Sequence, residues 1–112
     1  MATAAQKHEF LVVVPDKPGV KDLRLEVRPK HFEGLKPGLE SGNWKMGGGL
    51  LKDLPSGDDP SGWDFYGSTF VVLAESKEEI IEIMKKDIYS TSGVWDVEKA
   101  QILPFKKAFR FE

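Results

Sequence analysis

The spacing of apolar and polar positions predicts four strands and two helices. Residues 10–14 (FLVVV) form a short β-branched run that Pro15 ends, which is typical of a buried strand. Residues 43–51, 67–74 and 97–104 are the other predicted strands. Three glycines at 47–49 leave the second strand without side chains at its centre, which predicts either space for a ligand or a neighbouring backbone, or a bulge or bend.

Residues 21–40 have the apolar stripe of a helix, formed by Leu23, Val27, Phe32, Leu35 and Leu39. Pro29 interrupts this stripe, because proline removes a backbone donor and disfavours the α conformation of the residue before it. Two alternatives fit: a kinked helix, or a short turn followed by a second helix that starts at Pro29. Gly42 is expected to end the element.

The second predicted helix begins at a capping box, with Ser76 at the cap and Glu79 three residues later. It runs to about residue 86, and residues 87–93 (DIYSTSG) are predicted to be a turn-rich connector. The order β-α-β-β-α-β is the ferredoxin-like arrangement, an α+β fold in which a four-stranded antiparallel sheet carries both helices on one face. The other face of the sheet needs a cover. A second copy of the same sheet would supply it, so we predict a homodimer.

Composition limits the classes of function. The 112 residues are 40% hydrophobic and 30% charged, as in an ordinary globular protein, and we expect a disordered tail at 1–8 and one domain at 9–112. Sixteen Lys and Arg against 18 Asp and Glu argue against a nucleic-acid partner. No cysteine is present, and the two histidines show no zinc spacing, so we predict no metal and no cofactor.

The sequence also lacks the signals that direct a chain to a membrane. No apolar run approaches the roughly 20 residues of a membrane span. Residues 1–7 (MATAAQK) lack the charged and apolar regions of a signal peptide. We therefore expect a cytoplasmic protein with no membrane partner.

Four sequence blocks carry a resemblance to a known family: 24–31 (RLEVRPKH), 67–69 (GST), 87–94 (DIYSTSGV) and 103–107 (LPFKK). In this order and spacing, they make the chain resemble the YCII-related family of small dimeric α+β barrel proteins. The resemblance implies pairing of two subunits through their sheets and an active site formed by His31 and Asp87. One branch of that family removes chloride from a chlorinated hydroxyhydroquinone, while most members have no assigned reaction. The family's Asp-Pro-Tyr motif reads Asp87-Ile88-Tyr89 here, and the loss of proline is expected to loosen the turn.

His31 and Asp87 are the candidates for catalysis. Histidine exchanges protons near neutral pH, so His31 is suited to general acid or base catalysis. The carboxylate of Asp87 could fix the tautomer of the ring and stabilise its charged form. The alternative is that His31 is an exposed helix residue and Asp87 a cap or turn residue.

Four further residues are candidates for substrate binding. Arg28 presents a planar fork of donors to a carboxylate or phenolate, or is simply solvated or paired. Ser68 could donate a hydrogen bond to a bound oxyanion, or bond locally at a strand start. Tyr89 and Trp95 could wall an aromatic pocket, or be core or dimer contacts.

Two classes of function follow. The first is a small-molecule enzyme, a lyase, isomerase or dehydrochlorinase-like protein, that moves protons on an aromatic or enol-type acid. It requires His31 and Asp87 within hydrogen-bond reach beside a pocket. The second is a non-catalytic dimeric protein that binds a small ligand or has an accessory role, for which a shallow or closed pocket is expected.

Overall fold

The computed structural model, which describes residues 6–111, contains one antiparallel sheet and three helices. The strands are β1 (His8–Pro15), β2 (Trp44–Leu51), β3 (Phe65–Ala74) and β4 (Gln101–Pro104). The helices are α1 (Lys21–Ser41), α2 (Lys77–Lys86) and the single turn α3 (Ile88–Thr91). The strand order β2-β3-β1-β4, with antiparallel pairing throughout, confirms the predicted ferredoxin-like fold.

The hydrophobic core lies between the sheet and the helices. Alternate residues of β1 point into it, since Phe10, Val12 and Val14 are buried while their neighbours are only partly covered. Ile80 and Met84 of α2 are fully buried against this face. Within residues 6–111, no helix combines the length and the apolar character needed to cross a bilayer.

The first helix is continuous from Lys21 to Ser41, with Pro29 and Pro37 inside it. The alternative of a turn followed by a separate helix at Pro29 is therefore wrong. Proline removes one backbone hydrogen bond, and the packing of Leu23 and Val27 against the core holds the segment helical despite that loss. Gly42 ends the helix in the left-handed conformation (φ 78°), as predicted.

The fourth strand is shorter than the sequence predicts. Residues 97–99 form a 3-10 turn, and the strand begins only at Gln101, which pairs with Val13. Proline cannot donate to a ladder, so Pro15 limits further pairing along β1. Beyond it, Asp16 and Trp95 form an isolated bridge instead.

Local structure also differs from the prediction at three other places. A bulge at Lys45 lets Trp44 pair with Val72 and Met46 with Val71, so Trp44 and Met46 lie on opposite faces rather than on one. The predicted connector 87–93 contains the helical turn α3. Of the predicted tail 1–8, residues 1–5 lie outside the described residues, and residue 8 is already the first residue of β1.

Candidate functional site

A cavity of about 650 Å³ opens between α1 and the β2–β3 half of the sheet. Five of the six candidate residues line it: Arg28, His31, Ser68, Tyr89 and Trp95. The sixth, Asp87, sits behind the imidazole of His31 rather than in the wall. The fold thus brings together residues that are distant in the sequence.

The Nδ1 atom of His31 lies 2.8 Å from the Oδ1 atom of Asp87. Both side chains are largely buried, with 10% and 12% of their surfaces exposed. The other ring nitrogen of His31, Nε2, makes no hydrogen bond within the part of the chain that the structure describes. His31 and Asp87 therefore lie within hydrogen-bond reach of each other beside a cavity, as the enzyme hypothesis requires.

Asp87 is held in place because it also caps α3. Its Oδ1 atom accepts a hydrogen bond from the backbone N–H of Tyr89 at 2.9 Å. Ile88, which replaces the family's proline, occupies the first position of this helix, where the N–H has no intrahelical partner in any case. Asp87 thus caps α3 with Ile88 in place of the proline, and the loosening expected from the loss of proline stays a prediction.

Aromatic rings fix the orientation of the imidazole. The ring of His31 stacks on that of Tyr89, with centroids 3.9 Å apart and an angle of 16° between the planes. Trp95 meets the imidazole edge-on, at a centroid distance of 5.7 Å. Burial raises the pKa of the Tyr89 hydroxyl, so this group remains a protonated donor at neutral pH.

Arg24 is part of the site, although the sequence did not single it out. Its Nη1 atom donates to both carboxylate oxygens of Asp16, at 2.7 and 2.9 Å. Its Nη2 atom donates to the Oγ atom of Ser68 at 2.8 Å. The guanidinium lies over the rings of Phe65 and Tyr89, at 4.5 and 4.8 Å from their centroids.

The spacing of polar residues on α1 contains a signal for Arg24. Positions 24, 28 and 31 are separated by four and three residues, so they share one face of the helix. That face lines the cavity, and Leu35 extends it.

Ser68 and Arg28 occupy different environments. Ser68 is 6% exposed, and its Oγ atom also accepts from the Nε1 atom of Trp95 at 3.1 Å. Arg28 lies over the ring of Phe32 at 4.9 Å and forms no ion pair with any residue from 6 to 111. Its charge therefore remains available at the cavity.

The three glycines of β2 line the cavity. Gly47 pairs with Phe70 and Gly49 with Ser68, so both glycines face the helix side of the sheet. The irregular pairings of β2 lie on either side of them, at residues 44–46 and 50–51. A Cβ at Gly49 would lie 3.0 Å from the ring of Phe65, so the glycine there makes room for that side chain, and the ligand explanation stays a prediction.

No metal centre is evident in the described segment. No group of three or more His, Asp or Glu side chains converges there in a way that could hold an ion. The polar groups at the cavity are the nitrogen donors of Arg24, Arg28, His31 and Trp95 and the hydroxyls of Ser68 and Tyr89, among others. Such a set is suited to an organic ligand with oxygen atoms.

Comparison with known proteins identifies the family. The family model for the YCII-related domain matches residues 8–106. The chain belongs to the YCII-related domain family. The match spans every strand and helix of the fold, including both His31 and Asp87.

The relatives include proteins of fungal biosynthesis. Fusaric acid biosynthesis protein 2 of Gibberella fujikuroi is 34% identical over 103 residues, which are 92% of this chain and 97% of that protein. The aspartate kinase FUB3 of Fusarium oxysporum f. sp. lycopersici is 36% identical over 106 residues, but the chain spans only 19% of its length.

A solved structure has the same fold. It is 5-chloro-2-hydroxyhydroquinone dehydrochlorinase from Burkholderia phenoliruptrix, in complex with 2,5-dihydroxybenzoquinone. The match has a TM-score of 0.73 and 24% identity, and it covers 88% of this chain and 93% of that one.

Replacing Arg24 with Leu is expected to destabilise the protein in a pH-dependent way. Burial raises the pKa of Asp16, and Arg24 opposes that rise. Without Arg24, the folded state holds the Asp16 proton more tightly than the unfolded state does. We expect the variant to lose about 3–5 kcal/mol of stability at neutral pH. This loss should shrink as the pH falls towards about 4, because Asp16 then becomes protonated and uncharged.

Urea unfolding of the wild type and the Arg24→Leu variant, at about pH 4.5 and about pH 7.5, measures this difference. The double variant Arg24→Leu/Asp16→Asn is the control, since it lacks the carboxylate that titrates. An equal loss of stability at both pH values in the single variant would contradict the prediction.

Proposed function

We propose that this protein is a small-molecule enzyme that transfers protons on an aromatic or enol-type acid, with His31 and Asp87 as its catalytic dyad. The observation that supports this most is the 2.8 Å contact between Nδ1 of His31 and Oδ1 of Asp87 at the wall of a cavity. A carboxylate in this position holds a proton on Nδ1 and leaves Nε2 free to act as the base.

The lining of the cavity favours a planar anion as substrate. Three cationic side chains line it, from Arg24, Arg28 and Lys45, and no carboxylate does so among the described residues. This contrasts with the net charge of −2 of the whole chain. Aromatic side chains form much of the remaining wall: Phe32, Trp44, Trp63, Phe65, Phe70, Tyr89 and Trp95. Both features match a conjugated ring that carries acidic oxygens.

Elimination of chloride from a chlorinated hydroxyhydroquinone is a specific reaction to test. The structural neighbour is a dehydrochlorinase in complex with 2,5-dihydroxybenzoquinone, a planar ring with four oxygens. Loss of HCl from 5-chloro-2-hydroxyhydroquinone gives a hydroxybenzoquinone, so no oxidant is needed. In our proposal, His31 takes a proton from a ring hydroxyl and returns it to the carbon that bears chlorine, after which chloride and a second hydroxyl proton leave.

One observation favours a second candidate, a non-catalytic accessory module. A segment similar to almost the whole of this chain makes up 19% of an aspartate kinase, so the same domain occurs as part of a much larger protein. A module of this kind would bind a small ligand without turning it over. The fate of a bound 5-chloro-2-hydroxyhydroquinone distinguishes the two candidates.

We expect His31→Gln and Asp87→Asn to reduce chloride release from 5-chloro-2-hydroxyhydroquinone by about 100-fold or more. Asn also caps helices well, so Asp87→Asn should keep the bond to the Tyr89 N–H while losing the negative charge beside the imidazole. Chloride release is measured with a chloride electrode, and folding is checked by thermal unfolding.

The exposed helix variant Glu33→Gln is the control, since its side chain lies outside the cavity. Unchanged turnover in both dyad variants would contradict the proposed mechanism. Binding of the chlorinated compound by the wild type without any chloride release would favour the accessory module.

We also propose that the protein is a homodimer, formed through the sheet face that carries no helix. Apolar residues on three strands meet on the outward face of the sheet, where Leu11 pairs with both Val71 and Leu103. Leu103 is 51% exposed, and Val13 and Leu73 extend the same surface. An apolar sheet face of this kind is stabilised by pairing with an identical face across a two-fold axis.

Light scattering of the wild type is expected to give twice the 12.6 kDa mass of one chain. The variant Val13→Lys should give a folded monomer, because it places a charge next to Leu11 on the outward face, on the side of the sheet away from the core. Glu33→Lys, on the exposed side of α1, is the matched control and should remain a dimer. A wild-type mass of 12.6 kDa would contradict the proposed pairing.

A further inference from the structure

The hydroxyl of Ser68 has an unusual set of partners. Its Oγ atom accepts one hydrogen bond from Nη2 of Arg24 at 2.8 Å and another from Nε1 of Trp95 at 3.1 Å. A guanidinium and an indole N–H can only donate, and a hydroxyl oxygen has two acceptor sites. Both acceptor sites of Ser68 are therefore filled, and its remaining capacity is the donation of its own proton.

The two donors cannot easily turn away from Ser68. Asp16 holds the other arm of the Arg24 guanidinium with two hydrogen bonds, and the guanidinium packs against the rings of Phe65 and Tyr89. The indole of Trp95 is buried, with 3% of its surface exposed. The position of the Ser68 proton is thus set by surrounding groups that are themselves fixed.

The Ser68 hydroxyl lines the same cavity as His31, and Trp95 connects the two residues. The indole donates to Ser68 through its nitrogen and contacts the imidazole of His31 with its ring. Both residues line this one cavity, so a single ligand in it can contact both. The positive charge of Arg24 polarises the hydroxyl and makes its proton a stronger donor.

We infer that Ser68 is a fixed hydrogen-bond donor for a negatively charged oxygen of the ligand, an enolate or phenolate oxygen in particular. This inference rests on the proposed function, since proton removal by His31 generates that charge on a conjugated ring. A preorganised donor at the developing oxyanion lowers the barrier to proton transfer. In this arrangement Ser68 touches the substrate, while Arg24 and Trp95 are positioning residues that direct its proton.

The test uses two quinones that differ in charge. The first probe, 2,5-dihydroxybenzoquinone, is a vinylogous acid that ionises at neutral pH, and the second is its neutral dimethyl ether, 2,5-dimethoxybenzoquinone. Quenching of tryptophan fluorescence gives the dissociation constants. We expect Ser68→Ala to weaken binding of the anionic probe by about 10- to 100-fold and to weaken binding of the neutral probe much less.

Two more variants separate donation from a general effect on structure. Ser68→Cys has nearly the same shape but donates poorly, so it should show the same selective loss if Ser68→Ala does not fold. Trp95→Phe retains a ring and removes the N–H, which frees one acceptor site of Ser68 and lets the hydroxyl turn. It should lower the preference for the anionic over the neutral probe, whereas a purely structural role would weaken both equally.

Equal losses for the two probes, or no loss for the anionic probe, would overturn the inference. The outcome is independent of turnover. If His31→Gln leaves chloride release intact while Ser68→Ala shows the selective loss, the proposed reaction fails and the donor role stands. If His31→Gln abolishes chloride release while Ser68→Ala has no effect on the binding of either probe, the proposed reaction stands and the donor role of Ser68 fails.

Discussion

One oxygen of Asp87 connects the two parts of the chain on which the candidate site depends. Oδ1 accepts a hydrogen bond from the backbone of Tyr89 and lies 2.8 Å from the imidazole of His31. The first contact starts the helical turn α3, and the second ties that turn to α1, 56 residues earlier in the sequence. Capping a helix and orienting a histidine are thus the work of one carboxylate, so a substitution that keeps the cap while removing the charge can separate the two roles.

A buried ion pair fixes one of the cationic side chains that line the cavity. Arg24 and Asp16 form an ion pair whose side chains are 4% and 7% exposed, and the Nε atom of Arg24 is buried without a partner among the described residues. Taking such a pair out of water is costly, and an apolar pair of similar size often stabilises a fold as well or better. What the pair provides here is a guanidinium with a fixed direction, which holds the hydroxyl of Ser68 in a defined orientation.

The sequence predicts those parts of the structure that depend on local patterns. The strand order follows from the succession of elements, and the start of α2 follows from Ser76, which accepts from the Glu79 N–H at 3.2 Å. Arg24 was missed because arginine is usually exposed, and only the three-dimensional fold supplies the carboxylate and rings that bury it. The bulge at Lys45 and the late start of β4 at Gln101 depend on pairing between strands, which the pattern of a single strand does not contain. For His31 and Asp87, family resemblance indicated the pair, and only the fold gives the distance between them.

The tautomer of the His31 ring tests the role of Asp87 most directly. In the neutral ring, we expect nitrogen-15 NMR of the labelled protein to show a protonated Nδ1 and an unprotonated Nε2, because the carboxylate accepts from Nδ1. The Asp87→Asn variant, whose amide oxygen is a weaker acceptor, should shift the population towards the Nε2–H form. If the wild type carries its proton mainly on Nε2, then Asp87 does not prepare this imidazole to act as a base towards the cavity.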